Sequence, residues 1–363
     1  MTEFAVYDHK PSENGAAKFF QMLLDEHIID GLVCPAVTAW SPLPMPHLFT
    51  SVDNPELLMP LAPVAPLSAA TQAARVLRSA SERKIAVVLK PCEIRALIEL
   101  AKLNQCVIDD NVLIIGIECL GRLDNQTYLD RVKENEALSV SFYKNEKLRD
   151  DIEAACRGCT DFLPEQADVS IVTIGNDDAT LFAILSEKGK KAINKSRLEA
   201  FEPAAQRKKQ VDGIKERREN IKAGQLTSIN ETIGSIDGFQ QIIADCINCR
   251  NCQTACPVCY CRQCVFKTDV FDTSPNVLYK RAGKKSGIKL PQDTTMFHMT
   301  RMLHIAHACV GCGQCTSACP QGIPVADFFR AAADRMQRLY GYKPGNDSEE
   351  KIPMLSVGGP DAE

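Results

Sequence analysis

The apolar positions change rhythm along the chain. In residues 16 to 28 (AAKFFQMLLDEHI) they recur at helical spacing, and the short apolar run GLVCPAV follows. KIAVVLK (84 to 90) and NVLIIGIE (111 to 118) are near-continuous apolar runs, the pattern of strands buried on both faces. EIRALIELAKL (93 to 103), between them, has the period of a helix. Strand, helix and strand in that order predict a crossover in a parallel sheet. ADVSIVTIG (167 to 175) and ATLFAIL (179 to 185), the latter before a Lys-rich helix, extend the same α/β architecture. From 199 to 240 the chain is polar, charged and helical in pattern, with Gly213, Gly224 and Gly234 as breaks, and reads as a connector. The predicted organisation is an α/β domain over 1–198, a helical connector over 199–240, a helical domain over 241–345, and an acidic, disordered tail over 346–363.

Cysteines define the helical domain more sharply than hydropathy does. Cys246, Cys249, Cys252 and Cys256-Pro257 repeat as Cys309, Cys312, Cys315 and Cys319-Pro320. Each run is C-x-x-C-x-x-C-x-x-x-C-P, which holds a four-iron four-sulfur cluster in bacterial ferredoxins. The two-residue gaps let three thiolates of one loop reach three iron corners, and the fourth cysteine turns away to a neighbouring cluster. Crossed ligand sets follow: Cys246, Cys249, Cys252 and Cys319 for one cluster, Cys309, Cys312, Cys315 and Cys256 for the other. Zinc modules bring two ligands per loop, not four on each of two loops. Between Cys256 and Cys309 lie 52 residues, too many for a compact ferredoxin hairpin, and MFHMTRMLHIAHA (296 to 308) leads into the second loop with a helical pattern. The module is similar to the α-helical ferredoxin module of succinate dehydrogenase and heterodisulfide reductase iron-sulfur subunits.

The α/β half has cysteines of its own. Cys92 and Cys119 each follow a predicted strand, and ligands of open parallel sheets gather beyond the carboxyl ends of strands. Cys156 and Cys159, in ACRGC, complete a set of four. Spacing alone leaves a third cluster, a zinc site and core packing open for these four. Cys259, Cys261 and Cys264 (PVCYCRQC) stand apart from the first cluster set, with a separate metal, assembly chemistry or packing as their possible roles. Cys34 and Cys106 sit in apolar contexts and read as buried structural thiols. His298, His304 and His307 lie beside two complete thiolate sets, which makes packing or hydrogen bonding their expected role.

Composition narrows the class. The chain has 363 residues and seventeen cysteines, and its first residues (MTEFAVYDHK) lack the apolar core of a signal peptide, which predicts a reducing, cytoplasmic setting. No stretch approaches the roughly 20 apolar residues of a membrane span. A net charge of -4 gives no broad electrostatic footprint for nucleic acid. The basic runs at Arg207 to Arg218 and Lys280 to Lys285 read as solvated faces.

Together KPCEIRALIELAKLNQ, the strand ending IGIECLG, the CRGC pair, CINCRNCQTACPVCYCRQC, and MFHMTRMLHIAHACVGCGQCTSACPQGIPV with its closing YGYKPG resemble the β subunits of cytosolic formate dehydrogenases. These belong to the wider family of coenzyme F420-reducing hydrogenase and dehydrogenase β subunits, and the resemblance spans about residues 12 to 345. It implies an iron-sulfur flavoprotein electron-transfer subunit, with FAD in the α/β half beside a third cluster held by Cys92, Cys119, Cys156 and Cys159. Asn14, Gly15, Lys90 and Arg95 are the expected cofactor contacts. The implied partners are a molybdenum or tungsten catalytic subunit and a soluble acceptor: coenzyme F420, a ferredoxin, a nicotinamide or another redox complex. The alternative is the same architecture serving a hydrogenase, a heterodisulfide reductase or another low-potential complex. Nothing in the chain resembles a formate-oxidising site, so it is not expected to oxidise formate alone. Where deazaflavin-using relatives carry paired glycines, this chain has Ser12-Glu13-Asn14-Gly15-Ala16 and, after Cys119, Leu120-Gly121. No G-x-G-x-x-G fingerprint for a dinucleotide is present.

Overall fold

The computed structural model describes residues 3–8, 15–176, 180–195, 198–202, 206–261, 264–268, 274–286 and 293–353. One sheet is built from β1 (Glu3–Asp8), β2 (Gly31–Thr38), β3 (Ser41–Phe49), β4 (Ile85–Leu89), β5 (Val112–Ile117), β6 (Val169–Val172), β7 (Thr180–Ile184) and β8 (Glu199–Ala200). Their order is β3-β2-β4-β5-β6-β7-β1-β8. The central β2, β4, β5 and β6 are parallel, in register Val33↔Val87, Val87↔Ile114 and Ile117↔Ile171. These are the strands with the apolar runs, and β4, β5 and β6 are buried throughout.

The flanks are antiparallel. β7 reverses against β6 because only seven residues separate Val172 from Thr180, too few for the crossover that a parallel pair needs. β1 and β8 extend that side, and β3 closes the other as a hairpin with β2. β3 carries Pro42, Pro44 and Pro46, and alternate prolines place their missing N–H donors along one side of the strand.

Alternation along β4 divides the core. Val87 and Leu89 join one apolar cluster, Ala86 and Val88 the other, as a two-residue period requires. The second cluster takes in the helix Gly15–Asp25 through Phe19, Phe20 and Leu23. The first continues through Ile94 and Leu97 into Phe239, Phe297, Phe328 and Phe329 of the cysteine-rich half, so apolar contact runs unbroken between the two halves.

Four helices position the cysteines. Pro91–Lys102, the cysteine helix, starts directly after β4: Pro91 suits a first helical position, and the Glu93 carboxylate accepts from Lys90 N at 2.9 Å and Ala69 N at 2.8 Å. Gln206–Thr232, the long helix, spans about 40 Å. Asp293–Ile305, the histidine helix, and Val325–Tyr340, the terminal helix, frame the second cysteine run.

Three expectations are corrected. Gly213 and Gly224 do not break the connector; they lie inside the long helix, in open space with nothing to clash, at about 1 kcal/mol of propensity each. Nor are all its basic residues solvated, since Arg207 pairs with buried Glu118 and Arg218 is itself buried. The final segment expected to be disordered is placed as far as 353, with Ile352 buried against Leu103 and Tyr342; residues 354–363 lie outside the described residues.

Candidate metal centres

The two cysteine runs adopt the same backbone course. In the first loop Asn248 and Arg250 have φ of 54° and 61°; in the second, Gly311 and Gly313 have φ of 70° and 78°. These are the third and fifth positions counted from Cys246 and Cys309. Each loop then enters a short helix, Asn251–Ala255 or Gln314–Ser317, whose second residue is the third cysteine. The left-handed residues turn the chain twice in five positions, which brings three thiols to one side.

The fourth cysteine of each run crosses over. One cavity is lined by Cys246, Cys249, Cys252 and Cys319. The neighbouring cavity is lined by Cys256, Cys309, Cys312 and Cys315. Burial raises the Cys252 thiol pKa, with Arg301 opposing and Cys246, Cys249 and Cys319 adding to the rise. Burial likewise pushes Cys315 well up, joined by Cys256, Cys312 and Cys309.

Of the six cysteines in the α/β half, four gather at the carboxyl end of the sheet. Cys92 occupies the first turn of the cysteine helix, Cys119 follows β5, and Cys156 and Cys159 flank Gly158 after the short helix Ala154–Arg157. Burial raises Cys119 to about 11, with Cys156 and Cys159 adding to it and the Lys90 ammonium opposing. Cys92 is pushed well up by burial, then by Glu93, Cys312, Cys119 and Cys159, so this set also adjoins the second loop. Arg218 of the long helix secures the group, donating to the carbonyls of Leu120 at 2.7 Å and Cys159 at 3.2 Å.

Gly158 allows this approach: a Cβ there would lie 2.5 Å from Gln225 Oε1 and 3.2 Å from the Lys222 backbone of the long helix.

The donor sets fit four-iron clusters. Soft thiolates suit iron-sulfur clusters or zinc. Among the described residues no three His, Cys, Asp or Glu converge as on a single ion. A four-iron cluster instead takes its ligands at separate corners, which suits four thiols spread around one cavity. Polar groups beside the cavities also point inward: His298 Nε2 lies 3.4 Å from Cys246 Sγ, and Arg301 Nη1 donates to Cys252 Sγ at 3.2 Å. His298, pushed down to about 4 by burial and then by Arg301, is a neutral imidazole at neutral pH. His307 is buried and His304 is exposed.

The expected cofactor contacts are dispersed. Asn14 lies outside the described residues, and Gly15 begins the first helix. Lys90 is buried, with Nζ 3.3 Å from Val64 O. Arg95 pairs with Asp161 at 2.7 Å and lines a cleft of about 490 Å³ together with Cys159, Cys309, Lys215, Lys222 and Arg330. Lys90 and Gly15 do not line that cleft. The spare thiols Cys259, Cys261 and Cys264 share one electrostatic neighbourhood: burial raises Cys259, Arg301 opposes it, and the other two add to the rise. Cys34 and Cys106 are buried in the core as expected.

Two family models match the chain. The first, a 4Fe-4S dicluster domain, covers residues 242–323, the span of both cysteine runs. The second, the C terminus of coenzyme F420 hydrogenase/dehydrogenase β subunits, covers 129–208, including Cys156 and Cys159. The chain thus contains, over residues 129–208, a domain of the coenzyme F420 hydrogenase/dehydrogenase β-subunit type. The chain is 25% identical to an F420-dependent formate dehydrogenase subunit beta of Methanocaldococcus jannaschii, over 93% of this chain and 92% of that one. It is 28% identical to F420-dependent formate dehydrogenase 1 subunit beta of Methanococcus maripaludis, over 91% and 90%. A chain of the F420-reducing [NiFe] hydrogenase complex from Methanosarcina barkeri aligns at 16% identity and a TM-score of 0.43, covering 65% of this chain and 93% of that one. Among the described residues no helix is long and apolar enough to cross a membrane.

The sequence singled out the twelve cysteines but not Arg301, Arg122 or Arg218. A lone arginine in a helical or loop pattern carries no sign of a thiol partner distant in sequence.

Proposed function

We propose that this chain is the electron-transfer subunit of a formate dehydrogenase complex, carrying electrons between a molybdenum or tungsten catalytic subunit and coenzyme F420. The observation that carries this reading is the succession of three four-cysteine sets, each adjoining the next, through Arg301 and then through Cys312 and Cys92. The names of the formate dehydrogenase relatives supply the substrate and acceptor. In this reading Cys246, Cys249, Cys252 and Cys319 hold one four-iron cluster, Cys256, Cys309, Cys312 and Cys315 a second, and Cys92, Cys119, Cys156 and Cys159 a third. Clusters of this kind pass single electrons, and FAD in the α/β half collects two for hydride exchange.

The protein's own groups prepare the path. Burial of the thiols keeps water from the ligand bonds, and Lys90, Arg122 and Arg301 offset the negative charge of the thiolates. Arg95, on the cleft that reaches both Cys159 and Cys309, is the cofactor contact best supported by geometry.

Anaerobic iron and flavin analysis tests the reading, with the Cys312→Ala variant in parallel. About 12 iron atoms and one FAD per chain are expected, and Cys312→Ala is expected to abolish formate-to-acceptor turnover while flavin stays bound. About 8 iron atoms without flavin would reduce the chain to a two-cluster conduit; full turnover in Cys312→Ala would remove the second set from the path.

A further inference from the structure

A buried cation stands at each junction between thiol sets. Arg301, on the histidine helix, is 3% exposed. Its Nη1 donates to Cys252 Sγ and its Nη2 to Cys252 O, both at 3.2 Å, and its guanidinium lies 5.4 Å and 4.8 Å from the ring centres of Phe297 and Phe329. The same side chain lines the cavity of Cys256, Cys309, Cys312 and Cys315. Its buried Nε has no hydrogen-bond partner among the described residues. Burial works against its charge, but Cys252 of the first set, Cys256 of the second, the spare thiol Cys259 and then Cys315 of the second outweigh that and leave its pKa raised.

Arg122 repeats the arrangement at the next junction. It is 5% exposed, and it donates to Ala65 O at 3.1 Å and Ser317 Oγ at 2.6 Å. Burial again opposes its charge, and Cys156, Glu153, Cys312 and Cys92 outweigh it. The Glu153 carboxylate, at 3.8 Å, shares this cation. In geometry, Arg301 bonds Cys252 of the first set and lines the cavity of the second, while Arg122 bonds Ser317 of the second loop, lies 3.4 Å from where a Cβ on Gly313 would stand, and pairs with Glu153 at the start of the short helix that carries Cys156 of the third.

We propose that Arg301 and Arg122 set the reduction potentials along the electron path, each as a fixed cation shared by two successive thiolate-bound centres. The proposal rests on reading the three thiol sets as cluster ligands. One electron arriving without a proton adds one buried negative charge, and a nearby guanidinium and its N–H···S bond favour that reduced state. The electron comes from the low-potential donor, which is the formate-oxidising partner in function and dithionite in the test, and it leaves to the acceptor.

The test is a dithionite titration of the isolated complex followed by electron paramagnetic resonance, with iron content measured alongside. At a fixed solution potential, Arg301→Gln should lower the reduced-to-oxidised ratio of both C-terminal centres about tenfold, a shift of about 59 mV for one electron. Arg122→Gln should do the same to the second and third centres, so that only the second responds to either change. Lysine at either position keeps the charge but reaches fewer acceptors, and should give a smaller shift of the same sign. Unmoved potentials in whichever variants hold their iron would overturn the proposal. So would loss of iron in both the glutamine and lysine variants, which would make the arginine a scaffold. A wild-type complex without a third signal fails the reading of the α/β-half thiols and with it the Arg122 part; three signals that neither substitution moves fail the proposal itself.

Discussion

Gly313 sits at φ 78° in the second cysteine loop, and a Cβ there would lie 2.6 Å from Ala155 Cβ and 3.4 Å from Arg122 Nη2. The loop that carries Cys312 and Cys315 thus presses against the short helix that presents Cys156. Substituting Gly313→Ala adds left-handed strain and overpacking at one point, together about 2–4 kcal/mol. We expect a lower thermal midpoint and depleted iron in the second and third sets, whereas Gly213→Ala, in open space within the long helix, should stabilise by about 0.5–1 kcal/mol. Equal midpoints for the two variants would contradict this account. At this scale the cysteine spacing made the crossed pairing of Cys256 and Cys319 legible. The left-handed turns were half visible: glycine marks them at 311 and 313, but Asn248 and Arg250 hide the same turns in the first loop.

Between elements, the segment after the terminal helix acts as a clasp on the cysteine helix. The buried carboxylate of Glu99 accepts from Tyr342 OH at 2.6 Å and Gly345 N at 2.7 Å, and Arg95 Nε donates to Pro344 O at 2.9 Å. Tyr342→Phe removes two charge-assisted bonds, the one its hydroxyl donates to Glu99 and the one it accepts from Lys102 Nζ at 3.1 Å, and urea unfolding should register a loss of at least about 1.5–3 kcal/mol; an unchanged midpoint would show that the clasp contributes nothing to stability. Periodicity revealed the parallel strands β4, β5 and β6 because burial on both faces leaves continuous apolar runs. It did not reveal β3, whose prolines disguise a strand, or β8, which is two residues long. Arg207 and Arg218 read as surface charge because helical periodicity reports apolar burial alone, whereas Arg207 is half-buried against the Glu118 carboxylate and Arg218 is buried among carbonyl partners.

For the whole molecule, eleven of the twelve thiols proposed as cluster ligands are buried or half-buried, so occupancy of the proposed clusters should depend on pH. Burial lifts Cys119 and Cys312 from the ordinary thiol value of 9.0 to about 11. Protons therefore compete with iron for these sulfurs through the neutral range and on up to about 11, and iron retention should keep rising with pH past the point where ordinary thiols would level off. A chelator challenge from about pH 6 to about pH 10 checks the sign: iron loss should fall steadily, and a plateau from below pH 9 would contradict the raised thiols. The continuity of the core from β4 to Phe328 was not legible, since each stretch looks locally complete and only the fold brings the two halves into one apolar cluster.

The two margins of the sheet have a consequence for assembly. Three alternate prolines deny β3 the row of donors that an incoming strand would pair with, and two-residue β8 offers too short a template on the opposite side. Neither margin is suited to strand augmentation, so partner proteins have to meet this chain through helices and loops, the parts that also carry both cysteine runs.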